Sequence, residues 1–165
     1  MISSVIEIRT ATNSDKPAIW EIIRDIIATA DTYVFRPDSP EDEMIAYWFS
    51  PEKYVYVAED DSNVVGTFWL KPNYPGLGSH VCNAAYMVSP NAAGKGIGRQ
   101  MADFSLDEAR RLGFTAMQFN VVVASNTAAV RLWQSIGMEI IGEIPDAFDH
   151  RELGLTNAYI MYRKL

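Results

Sequence analysis

The stretch SPNAAGKGIGRQM, residues 89–101, sets glycines at alternate positions, Gly94, Gly96 and Gly98, between an apolar run and an unbroken helical pattern. Where a strand ends in glycines and a helix follows, the first helical turn offers backbone N–H groups that lack intrahelical partners. They lie at the positive end of the helix dipole. Glycines let a bulky anion reach those groups without meeting a Cβ. Phosphate or pyrophosphate binding is the chemistry to expect; a flexible turn ahead of a helix is the plainer alternative. Two familiar phosphate motifs fail on spacing. A Walker loop needs Gly-Lys followed by Ser or Thr, but Gly94-Lys95 is followed by Gly96. A dinucleotide fingerprint needs G-x-G-x-x-G and an acid about 20 residues on, where this chain has Gln118.

The elements that must hold this loop follow from periodicity. Residues 5–10 alternate and predict a strand. Asn13 or Ser14 is placed to cap a helix with Pro17 in its first turn and Ile19, Ile22, Ile23, Ile26 and Ile27 as its core stripe. Ser39-Pro40 opens a second helix, acidic at its start, with Met44, Tyr47 and Trp48 expected inward; ADTYVFRPD between the two is expected as a surface loop. Residues 54–59 and 64–71 predict a hairpin turned at 60–63, and 80–88 a strand. A helix from about Gly98 to Leu112 ends at Gly113. Residues 116–123 predict a strand with Met117, Phe119, Val121 and Val123 on one face and Gln118, Asn120 and Val122 on the other. Ser125 or Asn126 caps a last helix with Ala129, Leu132, Trp133 and Ile136 inward and Gly137 at its end, before strands at about 138–144 and 156–163. The order β-α-α-β-β-β-α-β-α-β-β, without repeat or linker, predicts a single α/β domain, 1–165, on a mixed sheet.

Composition narrows the class. The 165 residues are 48% hydrophobic and 21% charged, enough apolar content for a core. One cysteine, Cys82, excludes an internal disulfide and fits a reducing, cytoplasmic setting. The N-terminal MISSVIEIRT carries Glu7 and Arg9 in its apolar run, unlike a signal peptide, and no run approaches the ~18 apolar residues of a spanning helix. A net charge of −7 fits a solvated surface, or a mild preference for neutral or cationic substrates, and disfavours nucleic-acid binding. No metal-ligand spacing is present.

The glycine loop, with YMVSP before it, ARRLGF at 109–114 and NTAAVRLWQSIGM at 126–138, resembles the acetyl-CoA loop and downstream signature of the Gcn5-related N-acetyltransferases (GNAT). The element order agrees with that family across nearly the whole chain. The resemblance implies a sheet of about six or seven mostly antiparallel strands, flanked by about four helices and splayed between its fourth and fifth strands. Acetyl-CoA is then the co-substrate, with no metal. Pantetheine would pair near Met87 and Val88, and the pyrophosphate would rest on Gly94, Lys95, Gly96, Ile97, Gly98 and Arg99. Asn126 and Trp133 would flank it, although a helix N-cap explains Asn126 equally well.

This sequence departs from the family where chemistry is usual. Ala93 stands in place of the Gln or Arg that opens the loop. The strand position that often carries a carboxylate base falls at Cys82 or Asn83. The customary tyrosine acid is Trp133, whose indole N–H is no proton donor to a leaving group. A thiol leaving group of pKa about 8.5 needs little protonation, so direct transfer survives these losses. Asn83, Asn120 and Tyr86 are the catalytic candidates, with Tyr159 and Tyr162 as further phenols; Cys82, His80 and His150 have no motif around them. Tyr33 and Phe35, with Asn83 and Asn120, are expected at the acceptor. FNVVVASNTAAVRLW also resembles the subgroup acetylating azetidine-2-carboxylate and proline-like amino acids. The expected partner is thus a small-molecule amine, with a homodimer possible. A protein or peptide N-acetyltransferase and a catalytically silent CoA-binding module are the alternatives.

Overall fold

The computed structural model describes residues 5–165; residues 1–4, part of the stretch read as unlike a signal peptide, lie outside them. The β-rich runs form strands β1 (Glu7–Thr10), β2 (Tyr54–Asp60), β3 (Asn63–Pro72), β4 (Val81–Val88), β5 (Ala116–Val123), β6 (Glu139–His150) and β7 (Gly154–Lys164). They make one seven-stranded sheet in the order β1-β2-β3-β4-β5-β7-β6, antiparallel except where β4 meets β5. The helices are α1 (Lys16–Ile27), α2 (Glu41–Trp48), α3 (Ile97–Arg111) and α4 (Thr127–Ser135). No described helix is long and apolar enough to cross a membrane.

Strand alternation divides the core between the two faces. Val55, Val57, Trp69 and Met87 pack under α1 and α2, while Tyr56, Phe68, Leu70 and Cys82 pack under α3. The isoleucine stripe holds α1 down, with Ile19, Ile22, Ile23 and Ile27 buried. Each such burial contributes about 1.5–3 kcal/mol. Buried Trp48 donates from Nε1 to Thr67 Oγ1 at 3.0 Å, and Thr67 passes a bond to the Tyr56 carbonyl at 2.8 Å, so this polar pair is satisfied within the core. At Gly66 a Cβ would stand 2.9 Å from Met101 Sδ; the missing side chain is what lets α3 lie close to β3.

Several local expectations are corrected. A 3₁₀ turn precedes α1, and Thr12 with Asp15 caps it rather than Asn13 or Ser14; the Asp15 carboxylate accepts the Thr12 N–H at 2.7 Å. Tyr47 remains 40% exposed beside fully buried Trp48. The loop between α1 and α2 lies on the surface as expected, with Val34, Arg36, Pro37 and Asp38 exposed, but Tyr33 and Phe35 turn inward and pack, partly buried, on the cluster of Trp48 and Trp69. In β5 a bulge between Phe119 and Val122 breaks the alternation, leaving Val121 exposed and burying Val122. Ala129, Leu132 and Trp133 on α4 are half-buried, since that face borders an opening rather than closed core. The last hairpin is longer than expected; its register breaks between Ile144 and Phe148 let it continue past Pro145.

Candidate functional site

Parallel strands β4 and β5 stay in register only at Val81–Ala116 and Cys82–Met117, then diverge. The gap opens into a cavity of about 380 Å³. Its walls come from both strands, from Trp69 and Lys71 on β3, from Asn126, Ala129 and Trp133 at α4, and from Tyr33 and Phe35 overhead.

The backbone of β4 supplies part of this site. Asn73 N–H bonds the Val81 carbonyl and Ser89 N–H the Val65 carbonyl, both at 2.8 Å. Antiparallel bonding alternates, so the peptide groups of Asn83, Ala85 and Met87 belong to the β3 ladder. Those of Ala84, Tyr86 and Val88 turn toward the gap. The pantetheine expectation is therefore corrected at Met87, whose peptide belongs to the β3 ladder and whose side chain is buried, while the Val88 peptide faces the gap. Two of the gap-facing positions are already engaged. Asn83 Oδ1 accepts the Ala84 N–H at 2.8 Å, and the Tyr33 hydroxyl accepts the Tyr86 N–H at 3.1 Å while donating to the Tyr86 carbonyl.

Tyr86 itself is corrected as an acid. Its hydroxyl pairs with Ser105 Oγ at 2.6 Å inside the core, and burial pushes the phenol far above its ordinary range. Its ring lies 4.8 Å from that of Trp133 and 5.4 Å from that of Phe68, making it part of the floor. Cys82 is fully buried, and burial pushes its thiol up to about 12, so no thiolate is available for attack. His150 Nδ1 accepts the Glu152 and Leu153 N–H groups at 3.0 and 3.1 Å, a turn-forming role. His80, Tyr159 and Tyr162 do not line the cavity. Among the described residues no group of His, Cys, Asp and Glu could hold a metal.

Asn83 and Asn120 do line one cavity, on opposite walls. Asn120 is held firmly: it accepts from Gln118 Nε2 at 3.1 Å and donates to Asn73 Oδ1 at 2.8 Å. Asn73 and Gln118 are thus supporting residues that the sequence did not single out. The Asn83 amide nitrogen has no hydrogen-bond partner among the described residues.

The glycine loop lies beyond the gap. Gly94 and Gly96 have φ of +81° and +75°, with open space where a Cβ would be. Gly96 is the N-cap of α3 and no side chain caps the helix. The N–H groups of Ile97, Gly98 and Arg99 are therefore free to receive an anion, while the Ile97 side chain is buried. Gly98 differs: it lies within the helix, and a Cβ there would meet Leu132 at an ordinary contact distance of 3.5 Å, so neither strain nor a clash requires a glycine. Lys95 lies 3.9 Å from Asp60, and exposed Arg99 bonds Asp103 and Ser135. At the N-cap of α4, Asn126 Oδ1 accepts the Ala129 N–H at 3.3 Å, so the plain capping role is real while the residue also borders the cavity. This cradle, uncapped and open in front, fits the pyrophosphate of acetyl-CoA.

The opposite end of the cavity was not legible in advance. Among the described residues Lys71 is the one charged side chain that lines the cavity, and it favours an anionic group where net charge suggested neutral or cationic substrates. Beside it, Lys53 Nζ lies 3.3 Å from the centroid of the Tyr47 ring and 4.6 Å from that of Trp69. Burial, then repulsion from Lys71, pushes the Lys53 ammonium down to about 8. The available signal was Trp69 and Lys71 at i, i+2 on one strand, in register with Ala85 and Asn83.

Comparison with known proteins agrees with this geometry. Residues 20–138 match the profile of the Acetyltransferase (GNAT) family. A GCN5-related N-acetyltransferase from Kribbella flavida superposes with a TM-score of 0.92 at 39% identity, over 97% of this chain and 98% of that one. N-acetyltransferase aca1 of Schizosaccharomyces pombe is 44% identical over 100 residues, 60% of this chain and 48% of that protein. This chain therefore spans about half the length of that relative. L-methionine sulfoximine/L-methionine sulfone acetyltransferase of Salmonella typhimurium is 29% identical over 145 residues, covering 84% and 82% of the two chains.

Proposed function

The chain belongs to the GNAT family of acetyltransferases, and on that premise we propose that it transfers acetyl from acetyl-CoA directly to the amine of a small amino acid or amino-acid analogue. The observation that carries this reading is the size of the cavity. Tyr33 and Phe35 cover part of it and the rest stays open, and its volume of about 380 Å³ suits a small molecule better than a long peptide. The relative that acetylates methionine sulfoximine and methionine sulfone supports the same class.

In this reading the first-turn N–H groups of α3 hold the pyrophosphate and the Val88 peptide holds pantetheine. Acetyl-CoA supplies an activated thioester. Attack needs a neutral amine and stabilisation of the developing oxyanion. No carboxylate lines the cavity among the described residues, so the amine proton leaves through water and polar groups rather than to a dedicated base. Asn83 and Asn120 orient the acceptor, and Trp133 forms an apolar floor that excludes water. The departing thiolate, of ordinary pKa about 8.5, needs no strong acid. Buried Cys82 takes no part, so no acyl-enzyme forms. A cytoplasmic site of action suits the single free cysteine.

The test is thiol release from acetyl-CoA across amino acids, polyamines and peptides, with mass spectrometry of products and protein. Acetylated amino acids with unmodified protein are expected. Turnover restricted to peptides, or a stoichiometric acetyl adduct on Cys82 formed and consumed at the catalytic rate, refutes the reading.

A further inference from the structure

We propose that Lys71, with Lys53 beside it on the ring of Trp69, anchors a carboxylate of the acceptor, so that the site selects zwitterionic amino acids over plain amines. This rests on the amino-acid reading above and names the group that enforces it.

The first support is position. Lys71 lines the cavity, and it forms no ion pair and no side-chain hydrogen bond with any described residue. Most of the remaining lining is aromatic, aliphatic or amide. An acceptor entering the cavity therefore meets Lys71 as the one unpaired cation among uncharged neighbours of the described chain.

The second is the neighbouring like charge. The two ammonium groups approach the same indole, Lys53 at 4.6 Å and Lys71 at 5.9 Å from its centroid. Lys53 is further held by the Tyr47 carbonyl. The carboxylate that feels both lysines is Glu52, which is fully exposed and so screened by water. Two half-buried cations on one aromatic face form a site of positive potential, and a bound carboxylate would relieve their repulsion. Burial chiefly, and then this repulsion, depress the Lys53 ammonium.

The third is a neutral donor at the same place. Lys71 and Asn83 are register partners across β3 and β4, so their side chains stand side by side on one face of the sheet. The unpartnered Asn83 amide nitrogen completes a two-donor seat for the carboxylate oxygens. An α-amine, a short reach from that carboxylate, then lies toward Asn120 and the gap where β4 and β5 part. Tyr47 and Trp69 flank the seat as an apolar wall for the acceptor side chain.

The experiment screens the twenty L-amino acids with the wild type, then compares the best acceptor with its own carboxamide at saturating acetyl-CoA. The same comparison is made for Lys71→Met, Lys71→Arg and Lys53→Met, each checked for folding by circular dichroism. The wild type should favour the acid over the carboxamide. In Lys71→Met that kcat/KM ratio should fall roughly 10- to 100-fold, chiefly through KM of the acid. Lys71→Arg should restore most of it, and Lys53→Met should lower it several-fold. Amino-acid turnover with an unmoved ratio in Lys71→Met overturns the anchor and leaves the amino-acid reading standing. Wild-type turnover of plain amines but of no amino acid overturns both.

Discussion

The Tyr33 hydroxyl lies in the edge of β4, donating to the Tyr86 carbonyl and accepting the Tyr86 N–H at 3.1 Å. One side chain from the α1–α2 loop thereby takes the place of a missing strand partner where β5 has turned away. Tyr33→Phe removes both bonds and leaves a half-buried peptide unpaired. A loss of about 1–3 kcal/mol in folding stability is expected. Urea unfolding of the two proteins checks it; equal midpoints and slopes would show that water replaces the hydroxyl without cost.

Gly96 is held at φ +75° with nothing in front of it, so its two features separate experimentally. Gly96→Ala should cost about 1–2 kcal/mol of stability from backbone strain while leaving room for the anion. Gly96→Glu adds negative charge at the free N–H groups and should weaken acetyl-CoA binding at least tenfold more than Gly96→Ala does. Calorimetric titration of both folded variants decides; equal affinities would remove the pyrophosphate from this loop.

Asn83 and Asn120 should not behave alike. Asn83 presents a free donor, so Asn83→Ala should lower acceptor kcat/KM roughly 5- to 50-fold with KM for acetyl-CoA nearly unchanged, while the lost bond to the Ala84 N–H should cost only about 1 kcal/mol of stability. Asn120→Ala also breaks the bonds to Asn73 and Gln118 and should lose stability as well as acceptor affinity. Two-substrate kinetics alongside thermal melts distinguish the cases. Wild-type acceptor kinetics in both variants would mark these amides as structural.

Asp15 provides the pH dependence. Hydrogen bonds from Arg9 hold its carboxyl down at about 2, against an ordinary value of 3.8, and its side chain is only 7% exposed. The unfolded chain takes up this proton first as pH falls, so the stabilisation is complete above about pH 5 and lost between about pH 4 and 2. With Arg9 partly hydrated, about 1–2 kcal/mol is the expected contribution. Asp15→Asn should therefore be less stable than wild type at neutral pH, and the difference should shrink as pH approaches 2. A constant difference across urea titrations at several pH values would show that charge is not the cause.

Strand and helix positions were legible because their periodicities agree with local turn chemistry. At Asp61 and Ser62, φ of +47° and +66° give the tight hairpin that the polar run 60–63 signalled. The glycine loop was legible because its function is written in backbone requirements, which residue type reveals directly. The acceptor end was not. Tyr33 reaches Tyr86 across 53 positions of sequence, and Lys53, Lys71 and Trp69 meet only after β2 and β3 pair. The bulge in β5 was equally hidden, since Phe119-Asn120-Val121-Val122 carries no glycine or proline to announce it.

The brief register between β4 and β5 also determines where the covalent chain joins two halves. β1 to β4 precede it, α3 packs on β3 and β4, and β5 to β7 all come later, so the backbone passes between the halves once. That passage is at Gly113, an exposed turn residue with φ of +92°. A break there would leave the glycine cradle on one fragment and Asn120 and Trp133 on the other, joined through the shared core of Met101, Leu106, Met117, Phe119 and Met161. Because acetyl-CoA would touch both, reassembly of the fragments would respond to its concentration, and the enzyme fold would serve as a split reporter for the thioester.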